Sequence, residues 1–369
     1  MESKATTNAK ATINAKATIN TKATIISINV SDMDHAGFRF AYTQSGPHTT
    51  WLDWGDGSER EAFSEAGLIE AEHFYEKPGV YDIILFAVDD GRIGLVGIDP
   101  DIGYRSMVTA MVVGDDVSSV QSHAFSECEN LETLRFEGDS TEMGNSVELG
   151  AYAFAGCTSL TSAMLPNSVG MIPDGLFFNC TALAECGGAL TITTVGENAF
   201  YGCAQLKHID LTNAYDVGNY AFHGCRKLTD IEFGDNSHKI GDGAFDSCTS
   251  LKSVVLGSVK EIGNRAFCNC RTLARVTIPK TVDTIGDEAF YNCRFLKELR
   301  MLKAKPPVLM GTGSLPQEAD FRIIVPKGAK KSYASATNWA VYSDRIEVAD
   351  RVESVAKSET ADKIMEVGK

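Results

Sequence analysis

The chain has 369 residues, 44% of them hydrophobic and 22% charged, which excludes wholesale disorder or a collagen-like chain and, at this length, one compact core. Its formal net charge of −15 argues against binding nucleic acid or an anionic membrane through a general field of Lys and Arg, because phosphate neutralisation needs clustered cations. No run approaches the roughly 18 to 20 apolar residues of a bilayer span, and no apolar signal-peptide region opens the sequence, so membrane insertion is not expected.

From Lys4 to Ile25 a hexapeptide close to Lys-Ala-Thr-Ile-Asn-Ala recurs, with Lys4, Lys10, Lys16 and Lys22 in register. So few sizeable apolar side chains cannot offset roughly 1 to 2 kcal/mol of backbone entropy per residue. Residues 1–23 are therefore read as a low-complexity spacer, with a hexapeptide β-helix turn as the alternative.

Residues 24–104 change character. Short β-rich runs at 24–30, 38–42 and 81–88 are separated by Gly, Pro and Asp clusters, the pattern of a small antiparallel sandwich. Two strings stand out: Trp51-Leu52-Asp53-Trp54-Gly55-Asp56-Gly57, and His73-Phe74-Tyr75-Glu76-Lys77-Pro78-Gly79-Val80-Tyr81. They resemble the signature of the polycystin-type (PKD) Ig-like domain, which implies an Ig-like β-sandwich here. Trp51, Trp54, Phe74, Tyr75 and Tyr81 are then expected as core and corner residues. Gly55-Asp56-Gly57 and Pro78-Gly79 supply tight-turn chemistry. Asp53 and Asp56 as calcium ligands are the alternative, but the alternating oxygen ligands and distal Glu of an EF-hand loop are missing.

The strongest signal follows. Cys128, Cys157, Cys180, Cys203, Cys225, Cys248, Cys270 and Cys293 are separated by 29, 23, 23, 22, 23, 22 and 23 residues, each with Phe three residues before it and Leu three after. A period in this range means a solenoid. The better copies read Ile-Gly-x-x-Ala-Phe-x-x-Cys-x-x-Leu-x-x-Ile-x-Leu, as from Ile262 to Ile278. This pattern resembles the BspA type of leucine-rich repeat, over residues 105–304. The first copy departs from it at Gln121, the third at Pro173, Leu176, Cys186 and Gly188, and the long first interval places an insertion near Gly138 to Val147.

The fold class expected is thus mixed: a small Ig-like sandwich followed by a leucine-rich-repeat solenoid with a parallel β-sheet on one face. Stacking sets Phe over Phe, Cys over Cys and Leu over Leu, with a rise of about 4.8 Å per copy. Equivalent side chains on successive turns point the same way, and no Cys-x-x-Cys or His pair occurs, so the ladder cysteines are read as buried thiols in preference to disulfides or metal ligands. Cys186 and Cys268 stand off the ladder and are the two expected to be reactive. Residues 305–349, with Pro306-Pro307, the Asp320-to-Pro326 run, Tyr333, Trp339 and Ile346, are similar to the terminal segment of this repeat family and are read as a cap; residues 350–369 are read as a charged tail.

No nucleophile elbow, zinc-protease, phosphate-loop or dinucleotide motif is present. His223 lies two residues before Cys225, but that cysteine belongs to the ladder, so a Cys/His nucleophile is not expected. No enzymatic activity, cofactor or metal is expected. The period-two segments instead direct variable side chains outward. The candidate partner-binding residues are Arg135, Glu185, His208, Asp210, Asp230, Glu232, Arg275 and Arg300, acidic in the middle of the sheet and basic toward both ends. The plain reading is a solvated face; the sharper one is a surface for a partner of complementary charge. The resemblance implies a non-enzymatic adhesion protein, surface-exposed or secreted, that recognises a protein or glycan on a cell or matrix. A phage or prophage tail-associated receptor-binding protein is the alternative.

Overall fold

A computed structural model describes residues 23–31, 36–88, 91–99, 104–137, 147–166, 168–187, 191–316 and 320–349. Nearly all of the expected spacer, the expected tail and residues 138–146 of the expected insertion lie outside the described residues.

Seven strands open the chain: β1 (Thr24–Val30), β2 (Gly37–Gln44), β3 (Thr50–Asp53), β4 (Glu61–Phe63), β5 (Gly67–Phe74), β6 (Gly79–Ala87) and β7 (Ile93–Ile98). They form two antiparallel groups, β1-β6-β3-β4 and β7-β2-β5. Alternation explains the layering: Ile26, Ile28 and Val30 of β1 and Phe38, Phe40 and Tyr42 of β2 are all buried in the shared core, while the residues between them face away.

These strands do not stand apart from the repeats. β1 pairs antiparallel with Val108–Val113, which pairs parallel with Thr133–Phe136. On the other layer β7 pairs parallel with Val117–Val120, which pairs with Glu148–Leu149. Both layers therefore run on into the solenoid, and one apolar cluster extends from Ile26 to Ile346. The two layers of opening strands are thus hydrogen-bonded continuously with the first copies of the repeat sheets.

Within that region Trp54 and Tyr75 are fully buried, and Trp51 and Tyr81 are half-buried. Phe74 is 67% exposed, contrary to its expected core role. Ile69 and Ala71 fix the inward phase of β5, so Phe74 falls on the outer side, where its ring lies against Gly37. The Gly55 turn is as its sequence requires: φ is +81°, and a Cβ there would come within 2.5 Å of the Asp82 carbonyl.

In the solenoid each copy contributes to two parallel ladders, one more than the sequence pattern indicated. The first is built from Val108–Val113, Thr133–Phe136, Ser162–Met164, Glu185–Gly187, Asp230–Glu232, Ser253–Val255, Arg275–Ile278, Glu298–Met301, Arg322–Val325 and Ile346–Val348. The ladder is interrupted twice: around His208–Asp210 pairing thins to a parallel bridge between Leu211 and Phe233, and Ser253–Val255 and Arg275–Ile278 belong to separate hydrogen-bonded sheets that follow one another in the stack. The second ladder consists of two-residue strands from Met171–Ile172 to Val308–Leu309, the Ile-Gly portion of each copy. Between the ladders the Phe side chains from Phe125 to Phe290 are buried and stack with centroids 5.1 to 6.1 Å apart.

Departures in the third copy are absorbed locally. Leu176 and Phe177 are buried like their counterparts, and Cys186 occupies the inward strand position opposite Ala163. At the C-terminal end Trp339 is buried and donates its indole N–H to the Pro307 carbonyl at 2.8 Å. Tyr333, on the short helix α1 (Lys330–Ala334), donates its hydroxyl to the Lys303 carbonyl at 2.7 Å and meets Trp339 edge-on.

Candidate partner-binding face

The mid-ladder strands bury their central residue and turn the two flanking ones outward: Ile231 and Val254 are buried, whereas Asp230, Glu232, Ser253 and Val255 are exposed. Parallel register then stacks outward residues in two columns. Asp230 lies beside Ser253 and Glu232 beside Val255; Arg275 lies beside Glu298 and Thr277 beside Arg300; Glu298 lies beside Arg322.

All eight candidate residues fall on this face. Glu185, His208, Asp210, Asp230 and Glu232 come together over three consecutive copies, and Arg275 and Arg300 follow beyond Ser253–Val255. Arg135 is set apart by the Ser162–Met164 strand, where it neighbours Met164 and pairs with Glu137. His208 Nδ1 stands 3.7 Å from Asp230 Oδ2, both side chains largely solvated. Asp210 Oδ1 accepts hydrogen bonds from the Thr212 hydroxyl at 2.7 Å and the Thr212 amide at 2.9 Å. Those bonds hold its carboxyl below the usual range, so it is anionic at neutral pH.

Three more residues belong to the same surface: Glu298 and Val255, which the period-two alternation already turns outward though the candidate set omits them, and Arg322. Glu298 bridges Arg300 at 3.0 Å and Arg322 at 3.5 Å, and Arg322 reaches Glu347 at 3.4 Å. Arg322 was assigned to the closing segment alone, although the alternation of Arg322 to Val325 and its spacing of 24 residues from Glu298 marked it as a further strand of the sheet. Val255, outward as the alternation requires, is 48% exposed.

Asp53, Asp56, Cys225 and His223 make local contacts, although the buried Nδ1 of His223 has no hydrogen-bond partner among the described residues. Asp53 Oδ1 and Asp56 Oδ1 accept turn bonds from the Gly55 and Ser58 amides at 2.9 and 3.0 Å, which is turn chemistry. Burial opposes ionisation of Asp56, but the Ser58 bonds and His73, at 2.8 Å, outweigh it and hold its carboxyl down at about 2. The Cys225 thiol donates to the Phe200 carbonyl at 3.3 Å, while His223 stacks on Tyr201 with centroids 4.6 Å apart. Burial pushes the Cys186 thiol up to about 12 and the Cys268 thiol up to about 11. Both shifts favour the protonated thiol at neutral pH, the less nucleophilic form.

The surface therefore offers charge zoning and shape, a means of recognition. No helix among the described residues is long and apolar enough to cross a membrane. The family model for the BspA type leucine rich repeat region, of six copies, matches residues 103–216, 147–258 and 215–304. No curated protein matches the chain. Among solved structures, a leucine rich cell surface protein from Faecalibacterium prausnitzii A2-165 is 19% identical, over 68% of this chain and 86% of that one, with a TM-score of 0.33. The T. pallidum leucine rich repeat protein is 27% identical, over 65% and 91%, with a TM-score of 0.35. A leucine-rich repeat protein from Bacteroides ovatus ATCC 8483 is 18% identical, over 75% and 90%, with a TM-score of 0.37.

Proposed function

The chain belongs to the BspA-type leucine-rich repeat family, and from that premise we propose that it is an adhesion protein whose first-ladder face recognises a protein or glycan on another cell or on matrix. Repeat proteins of this family are typically non-enzymatic binding scaffolds, displayed at the cell surface or secreted. The observation that carries the reading is the zoning of solvated charge along the stacked strands: an acidic block from Glu185 to Glu232 followed by Arg275 and Arg300. A face that served only to meet water has no need of like charges gathered in adjacent strands, where they repel one another. Gathered charge does serve steering and partner choice. In this reading residues 24–104 are a PKD-like module that extends the scaffold, residues 305–349 cap its far end, and the lysine-spaced N-terminal segment is a stalk.

The test is binding of the whole chain to an array of extracellular-matrix proteins, glycans and bacterial surface polymers, beside the variant Asp210→Arg/Asp230→Arg/Glu232→Arg. Saturable binding that the variant loses by more than tenfold, with its thermal midpoint unchanged, is expected. Binding that the variant retains moves the site off this face.

A further inference from the structure

In the first column, and at Asp210 and Arg300 in the second, the outward charges of the first ladder change sign across one strand. On the N-terminal side of Ser253–Val255 come, strand by strand, Asp230 and Glu232, then His208 and Asp210, then Glu185 and Gly187. On the C-terminal side come Arg275 and Thr277, then Glu298 and Arg300, then Arg322 and Ile324. The central strand carries no charge, and Val255 is its most exposed apolar side chain.

We propose that this face pairs with the same face of a second copy of the chain, about a two-fold axis parallel to the strands and passing over Ser253–Val255. The proposal rests on reading the face as a recognition surface and names the partner. Such a rotation lays each strand on that lying equally far across Val255 in the other copy and keeps each column facing itself. Asp230 then meets Arg275, His208 meets Glu298, and Glu185 meets Arg322; in the second column Asp210 meets Arg300. Each pairing occurs twice, as an isologous contact demands, and Val255 meets Val255 at the dry centre within a charged rim.

Other placements fail on the same residues. With the axis along the solenoid, each strand would face itself with its columns exchanged, and Asp230 would meet Glu232, two carboxylates. With the axis moved one strand toward the C-terminus, Asp210 would face Glu347, two carboxylates, and Val255 would face Arg300. Moved one strand the other way, Asp210 would face Val255 and Arg300 would face Met164. Arg275 and Glu185 have no ion-pair partner among the described residues, which leaves them free for this contact, while Glu232 falls opposite the Thr277 hydroxyl.

Seven strands about 4.8 Å apart span about 29 Å, and a strip two side chains wide gives a footprint on the order of 300 Å² per copy. That lies below the standard interface size, so the dimer is expected to be weak and salt-sensitive.

Sedimentation equilibrium of the whole chain in low and high salt tests the proposal, with Asp230→Arg and Arg275→Asp made singly, mixed and combined. The expected result is a concentration-dependent dimer in low salt that is lost in high salt, and more than tenfold weaker self-association for each single variant. The one-to-one mixture of the two single variants should dimerise again, as should the chain carrying both, because either restores opposite charges at both Asp230–Arg275 contacts. A wild-type chain that stays monomeric in low salt overturns the proposal. So does a single variant that dimerises like wild type, or a folded mixture, judged by circular dichroism, that stays monomeric. Array binding in the same samples separates the two readings: a monomeric wild type whose partner binding the face variants abolish sinks the dimer and leaves foreign recognition standing. A dimer that forms while no array component binds supports the dimer and counts against a foreign partner.

Discussion

Each ladder cysteine after the first directs its thiol at the phenylalanine carbonyl one copy back, from Cys157 to Phe125 through Cys293 to Phe267, at 3.1 to 3.3 Å. The spacing of these residues was plain in the sequence, and so was their burial. Their hydrogen bonds were not, because a repeat pattern reports which residue types are tolerated and not which way an S–H turns. A small, mostly apolar side chain with one weak donor suits a dry column in which a single carbonyl needs a partner. Asp116 is a residue that no pattern flagged. It is buried at the seam between the opening strands and the first copy, where its Oδ2 accepts the Ala87 amide at 2.8 Å and its Oδ1 has no partner. Burial pushes its carboxyl up to about 7. Since the folded state holds the proton more tightly than the unfolded chain, this group favours folding fully below about pH 4, and that advantage is lost as pH rises through about 7. Asp116→Asn keeps the acceptor and removes the charge, so the variant should be more stable than wild type above pH 7, by about 2 to 4 kcal/mol, with little difference at pH 4. Denaturant unfolding at the two pH values measures this, and an equal effect at both would show that ionisation is not the cause.

At the scale of elements, the Ile-Gly segment shows why part of the fold escaped sequence reading. The period-two strands of the first ladder were legible from Leu-x-x-Ile-x-Leu, since alternation over several residues is detectable. A two-residue strand such as Lys239–Ile240 has no alternation to detect, and its partners lie a whole copy away. Its glycine held the clue: a Cβ at Gly241 would meet the Gly218 carbonyl carbon at 2.6 Å and the Asn219 amide at 2.7 Å, so the requirement there is close approach of two copies. Gly241→Ala should therefore cost about 1 to 3 kcal/mol, the range of overpacking against atoms that cannot step aside. Gly57→Ala, where nothing lies within 4 Å but φ is +89°, should cost about 1 to 2 kcal/mol from backbone strain alone. Thermal unfolding of both separates the two causes, because replacing residue 57 with Asn should recover part of its loss and the same change at 241 should not. The candidate site follows the same division. Its charged members were readable wherever alternation was, whereas Arg322 was hidden by the intervening Pro-rich break, and Phe74 was misplaced because an aromatic in a motif says nothing about strand phase.

The whole molecule is joined by hydrogen bonds across what the sequence presents as a boundary. Ile25 to Ile28 pair with Val108 to Val112, and that strand pairs onward to Thr133–Phe136, while Trp54 and Phe125 belong to one apolar cluster. Removing residues 24–104 would uncover the edges and the end of the first copy, which a stacked array cannot leave open without loss. The opening strands and the early copies should accordingly unfold together. Tryptophan fluorescence, which reports Trp51, Trp54 and Trp339, and far-ultraviolet circular dichroism should trace one coincident denaturant transition. An early fluorescence change that leaves most of the ellipticity in place would mean that the first unit melts independently.

The parallel register of copies 22 or 23 residues apart also fixes how the protein would bear a load. Backbone bonds between copies lie along the solenoid axis, so tension between its two ends opens them one copy at a time, like a zip, and not all at once in shear. Each copy that gives way releases about 70 Å of slack chain. A tether built in this way yields in small steps, and when the pull stops each freed copy finds its template still standing in the neighbour that held.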